Sequence, residues 1–291
     1  RFRTPHNIVE EIKGLVGQFG AKKITFQDDE ILCSKKRFIE LCDMIHDAGL
    51  NIKMSIRTRI DSVDEEILLK CKDIGLSRIS FGIESWNDDT LKKINKKYTV
   101  EIIHKSFKAI EKSGFPRISF TNICGFPWED ASHLGNNLKE IGRIPKNIPY
   151  FTVAVTPAPY PKTRLYDIYH KQYGFTDWWL DPKMNSQKKP DITEPFFKSF
   201  AVAFKALYEE DIYWNYSKKK QKEIITFSWK LFSMFVKRHY SWYESTVIIF
   251  LCRLSYVLWK RSPVLEERVF RMLESAWISK LKDRIKFVSK E

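Results

Sequence analysis

Charged and hydroxyl-bearing residues gather at four points in the first half of the chain, each directly after a short apolar run. Asp28, Asp29 and Glu30 follow Ile24-Thr25-Phe26, and Arg57 and Arg59 follow residues 52–56. Glu84 and Ser85 follow residues 79–83, and Gly125 and Glu129 follow residues 118–124. Any one of these carboxylates alone would read as a helix N-cap. Four consecutive strand ends carrying both signs of charge read instead as a binding cleft, because ligands of parallel α/β sheets sit at the carboxyl ends of the strands and charges cluster where function requires them. His104, His133, His170 and His239 are isolated and read as surface or packing residues. Cys33, Cys42, Cys71, Cys124 and Cys252 show no close metal-ligand or redox spacing. They argue against a disulfide framework and fit a reduced, cytoplasmic compartment, with most of them acting as small buried hydrophobes.

The elements that must position these groups are legible in the apolar spacing. Ile8, Ile12, Leu15 and Val16 recur at helical intervals and stop at Gly20. Helices follow through Phe38, Ile39, Cys42 and Ile45 to Gly49, and from a cap at Asp64 through Ile67, Leu68 and Cys71 to Gly75. A polar stretch precedes a helix capped by Thr99 that ends at Gly114, and another spans about 131–141. Strands are expected at 24–26, 52–56, 79–83, 118–124 and 151–156. Strand–helix alternation with short connections predicts an α/β fold with a parallel sheet. The chain opens on a helix without its strand, so the expectation is a partial (β/α)6 TIM-like barrel whose first βα unit is incomplete.

Composition changes along the chain. Residues 195–291 hold 19 Lys and Arg against 10 Asp and Glu, and 21 of the aromatic residues. Residues 156–161, rich in Pro, exclude helix and central strand there. The expected division is 1–165 as an α/β core, 166–195 as a linker and 196–291 as a helical region. The basic, aromatic helices read as a solvated cap, with peripheral membrane contact as a further reading; no RNA-binding signature is present. The longest apolar run, 247–259, is broken by Arg253 and falls short of the roughly 20 residues a span requires.

Together, Asp28-Asp29, Arg59-Ile60-Asp61, Gly82-Ile83-Glu84-Ser85 and Gly125-Phe126-Pro127-x-Glu129 resemble, in order, radical S-adenosylmethionine (SAM) proteins of the class with an N-terminal cobalamin-binding domain. The opening Arg1-Phe2-Arg3-Thr4-Pro5-x-Asn7-Ile8-Val9 resembles the helix that follows the cluster loop in that class. The resemblance covers about 1–165. It implies that Asp28 and Asp29 receive the methionyl ammonium of SAM and that Arg59 meets its carboxylate. Glu84 and Ser85 would contact the ribose, and Gly125 to Glu129 would form the turn beside adenine. The segment Pro157 to Thr163 resembles the proline-rich loop after the sixth strand, with Lys162 where the family usually has Gly.

The family's four-iron four-sulfur cluster is held by a Cys-x3-Cys-x2-Cys loop that has no counterpart here. The resemblance therefore implies a fragment beginning just after that loop, with cluster ligands and any cobalamin domain outside this chain. Such a fragment is expected to be inactive by itself. It implies an enzyme that cleaves SAM to a 5′-deoxyadenosyl radical, served by a reductant protein and acting on a small-molecule or lipid-like substrate. Two alternatives stay open: a TIM-type barrel enzyme using strand-end carboxylates, and a non-enzymatic RNA- or membrane-surface-binding module.

Overall fold

The computed structural model describes residues 2–158, 160–173 and 217–239, with 241–242, 245–246, 248–250, 253–254 and 257. The chain divides into two compact units, Arg1–Val155 and Thr156–Glu291.

In the first unit, five strands, β1 (Lys23–Thr25), β2 (Lys53–Thr58), β3 (Leu76–Glu84), β4 (Ile118–Ile123) and β5 (Tyr150–Val155), pair in sequence order and all in parallel. Helices connect them, as parallel neighbours require: α1 (Pro5–Phe19) before β1, then α2 (Lys35–Asp47), α3 (Glu65–Asp73), α4 (Asp88–Lys93), α5 (Val100–Ser113) and α6 (Ala131–Gly142). Among the described residues the sheet stays open between β1 and β5, which makes it a partial barrel. Helix starts are set by side-chain caps. Thr4 accepts from Asn7 N–H ahead of Pro5, Asp64 from Ile67 N–H and Thr99 from Ile102 N–H, while Asp130 and His133 form a capping box. Helix ends at Gly20 and Gly114 take left-handed backbone, as glycine allows.

The alternation of the strands decides where the core and the site lie. Ile56, Ile79, Phe81, Ile83, Ile118 and Phe120 are buried on one face. Phe120 meets Phe107 of α5 edge-on at 5.9 Å, so this face is the one the helices cover. Between them, Ser55 and Arg57, Ser80, Gly82 and Glu84, then Ser119 and Thr121 occupy the opposite face and are half-buried or exposed. Parallel sheets normally bury apolar residues on both faces; a polar second face is the lining of an open barrel.

Two helices were not anticipated. The polar stretch before Thr99 contains a short helix, α4, anchored by buried Leu91 and Thr90. The span read as a linker, 166–195, overlaps helix α7 (Arg164–Tyr173), and 174–195 lie outside the described residues. Of the helical region placed at 196–291, the described part includes α8 (Lys218–His239).

Candidate functional site

The carboxyl edge of the sheet brings the sequence-selected residues onto one side of the first unit. Past β1, Asp28 and Asp29 are exposed, and neither carboxylate is engaged by another described residue. Glu30 is committed to structure: one oxygen accepts from the Thr58 hydroxyl and from Leu32 N–H (3.0 Å), the other from Arg59 N–H (2.7 Å). It thereby ties the loop after β1 to the end of β2. Across the polar face, Thr25 and Ser55 share a hydrogen bond of 2.9 Å, and Ser80 and Ser119 one of 2.7 Å. Arg57, on the same face, is exposed and unengaged among the described residues.

Glu84 is the most unusual residue of the edge. The register between β3 and β4 slips between Gly82 and Glu84, and Glu84 has φ +68°. Left-handed backbone in a non-glycine residue costs on the order of 1 kcal/mol and is kept where its surroundings enforce it. Here the bulge turns the carboxylate back over Gly82, where Thr121 Oγ1 donates to it at 3.0 Å and Lys96 Nζ lies 3.6 Å away. A Cβ on residue 82 would come within 2.6 Å of Glu84 Oε1, so glycine is what admits the fold-back. Lys96 Nζ and Tyr98 Oη each donate to Gly82 O at 2.9 Å. Burial, with Glu84 and Asp61 nearby, pushes the Tyr98 phenol well above its usual range, so it remains a donor. Arg59 stacks over the Tyr98 ring at 5.3 Å and grips Asp61 in a two-pronged pair of 2.9 and 2.8 Å. That hydrogen bond to Asp61 raises the affinity of the guanidinium for its proton.

The turn after β4 is organised by Glu129. Gly125 takes φ +87°, and the backbone N–H groups of Gly125 and Phe126 both donate to Glu129 Oε2 (2.9 and 3.2 Å). Thr90 donates to Oε1 at 3.1 Å, and Trp128 Nε1 donates to Thr90 at 3.2 Å. Burial pushes the Glu129 carboxyl above its usual range, against the pull of these donors. Phe126 and Trp128 stack in parallel at 4.8 Å, giving the turn a flat aromatic wall. Ser85 is fully buried, its hydroxyl accepting from Asn87 N–H at 3.3 Å. It starts a polar knot behind the sheet: Trp86 Nε1 donates to Asn122 Oδ1 (2.9 Å), Asn122 Nδ2 to Thr152 Oγ1 (2.6 Å), and Asn137 Oδ1 accepts from Trp86 N–H (2.8 Å).

Residues 1–141 match the model of the radical SAM superfamily. This stretch is a radical SAM domain. An uncharacterized methyltransferase of Pyrococcus horikoshii is 29% identical over 167 residues, 57% of this chain and 36% of that protein. The anaerobic magnesium-protoporphyrin IX monomethyl ester cyclase of Cereibacter sphaeroides is 36% identical over 104 residues, 34% of this chain and 17% of that protein. The chain thus spans about a third or less of the length of these relatives. The cobalamin-dependent SAM radical enzyme OxsB shares the fold, with a TM-score of 0.51 and 14% identity over 94% of this chain and 46% of the other. A radical SAM domain implies SAM and a four-iron cluster.

The cysteines of this radical SAM domain do not fit the cluster. Cys42, Cys71 and Cys124 are buried and Cys33 is exposed. Burial pushes the Cys42 thiol up to about 12 and Cys71 higher still, away from the thiolate a metal needs. Among the described residues no three His, Cys, Asp or Glu side chains converge on a metal position. Sequence reasoning passed over Lys96 and Tyr98, which belong to no motif, and placed Arg57 and Glu30 among the strand-end charges without giving either a ligand role. The alternation Ser55-x-Arg57, Ser80-x-Gly82-x-Glu84 and Ser119-x-Thr121 was the signal that could have found the polar face.

Proposed function

We propose that the radical SAM domain binds SAM at the carboxyl edge of its sheet, as part of an enzyme that cleaves SAM to methionine and a 5′-deoxyadenosyl radical. The observation that carries this reading is the polar face running from Thr25 to Thr121, which ends on the inward-turned Glu84 and the unengaged Asp28, Asp29 and Arg57. SAM is a zwitterion with a ribose and a flat base, and this edge offers a complement for each part. Asp28 and Asp29 take the ammonium through charge-assisted hydrogen bonds. Arg57 takes the carboxylate with an open guanidinium, while Arg59 would first have to release Asp61. Glu84 accepts from the ribose hydroxyls; Ser85, closed into its turn, holds the backbone behind it. The Gly125 turn and its Phe126–Trp128 wall accept adenine, with Glu129 keeping that turn in shape.

In this family a bound cluster would supply the electron that breaks a carbon–sulfur bond of SAM; among the described residues no set of cysteines is assigned to hold it. A reductant protein would serve that cluster, and a reducing, cytoplasmic setting would suit it. The order of the motifs favours the cobalamin-dependent class; no residue here is assigned to cobalamin. Equilibrium dialysis of the chain against labelled SAM tests the proposal. Saturable binding at one site per chain is expected, displaced by S-adenosylhomocysteine and weakened about tenfold by Glu84→Gln, the loss of one charge-assisted bond. Absence of saturable binding would overturn it.

A further inference from the structure

The second unit carries a surface that the SAM reading does not use. Helix α8 (Lys218–His239) buries Ile224, Phe227, Leu231, Phe232, Phe235 and Val236. At about 100° per residue, Lys219, Lys222, Lys230 and Lys237 fall within roughly a quarter of its circumference on the opposite side. All four are exposed, and Glu223 is the only acidic residue of the helix.

A following helical stretch, described at 242, 245–246, 248–250, 253–254 and 257, buries Ile248 and Ser245 and is tied to α8 by the Ser245 hydroxyl, which donates to Val236 O at 3.2 Å. Its other side presents Trp242, Thr246, Phe250, Arg253 and Val257 at helical intervals. Trp242 is 83% exposed, Phe250 63% and Val257 50%. Arg253 lies over the Trp229 ring at 5.9 Å, and Trp229 borders Lys222 on the helical circumference of α8. The apolar stripe and the lysine stripe are therefore side by side.

We propose that this paired surface docks on an anionic lipid bilayer, lying along the headgroups. Trp, Phe and Val on one stripe suit the acyl boundary, and flanking lysines suit anionic headgroups. Charge complementarity separates this from a protein-facing apolar patch, and Val257, which has no π-face, suits lipid better than stacked bases. No helix among the described residues is long and apolar enough to cross a membrane.

Flotation of the full chain with vesicles tests this. The chain should float with phosphatidylglycerol–phosphatidylcholine vesicles and not with phosphatidylcholine alone, and added salt should release it. Lys222→Gln with Lys230→Gln should weaken partitioning roughly 25-fold, about fivefold for each charge. Trp242→Ser with Phe250→Ser should weaken it at least about tenfold at unchanged charge. All four positions are exposed, and unaltered helical circular dichroism and SAM binding would show that the variants fold. Equal flotation with and without phosphatidylglycerol, no flotation, or binding of a single-stranded RNA with flotation indifferent to the Trp242 and Phe250 changes would each overturn the proposal.

Discussion

Replacing Gly82 by Ala separates the ligand-binding role of Glu84 from the stability of the sheet. The added Cβ would stand 2.6 Å from Glu84 Oε1, the far end of a flexible side chain, with the next atoms at 3.6 Å. The carboxylate can swing away, and the strand need not move. The cost is then the hydrogen bond from Thr121 and the loosened Lys96 pair. A bond to a charged acceptor contributes about 1.5–3 kcal/mol, and partial solvation of the released carboxylate returns part of it. A loss of about 1–2 kcal/mol in unfolding free energy is expected. SAM affinity should fall about tenfold, because Glu84 no longer points along the polar face. Glu84→Gly makes the complementary case: it relieves a left-handed backbone at φ +68° and should leave stability within about 1 kcal/mol of the parent, yet lower SAM affinity at least as much. Urea denaturation and equilibrium dialysis on the same samples read both quantities. Parental SAM affinity in Gly82→Ala, or a stability loss beyond about 4 kcal/mol, would show that Gly82 serves strand packing and that Glu84 is not the displaced group.

Other consequences follow from the same geometry. Glu129→Gln replaces one acceptor oxygen by a donor facing the Gly125 turn and should cost about 1–3 kcal/mol by thermal unfolding. Because burial raises the Glu129 carboxyl above its unfolded value, its contribution is largest below the usual carboxylate range and declines as pH rises through the raised value. The gap in melting temperature between the parent and Glu129→Gln should therefore narrow as pH increases across that window; a widening gap would contradict the assignment. Trp86→Phe leaves Asn122 Oδ1 without its buried donor and opens space beside Phe107, so a loss of about 2–4 kcal/mol is expected in urea denaturation. Lys162 takes φ +60°, the conformation a glycine would adopt at that point of the proline-rich loop. Lys162→Gly should consequently be neutral or stabilising by up to about 1 kcal/mol, read from the melting temperature.

Much of the fold could be read in the amino-acid sequence because its signals are local. Asp64 and Thr99 cap the helices they were expected to cap, and Gly20 and Gly114 end theirs in left-handed backbone. Helix α4 escaped because six residues with one large buried apolar side chain, Leu91, carry too little periodicity to stand out from a polar loop. The site was legible as a set of strand ends but not as a set of contacts. Arg59 and Asp61 were visible as neighbours, yet only the backbone beyond β2 shows the fork already closed on Asp61. Ser85 looks like any strand-end hydroxyl until the fold buries it beneath Trp86 and Asn87. Tyr98 reaches Gly82 from a loop that no local pattern connects to β3.

The central claim is most directly tested by a crystal structure of the chain soaked with SAM. The account predicts SAM across the carboxyl ends of β1–β4, its ammonium within hydrogen-bond distance of Asp28 or Asp29 and its adenine against the Gly125 turn. SAM bound elsewhere, or a polar face left empty at saturating SAM, would contradict it.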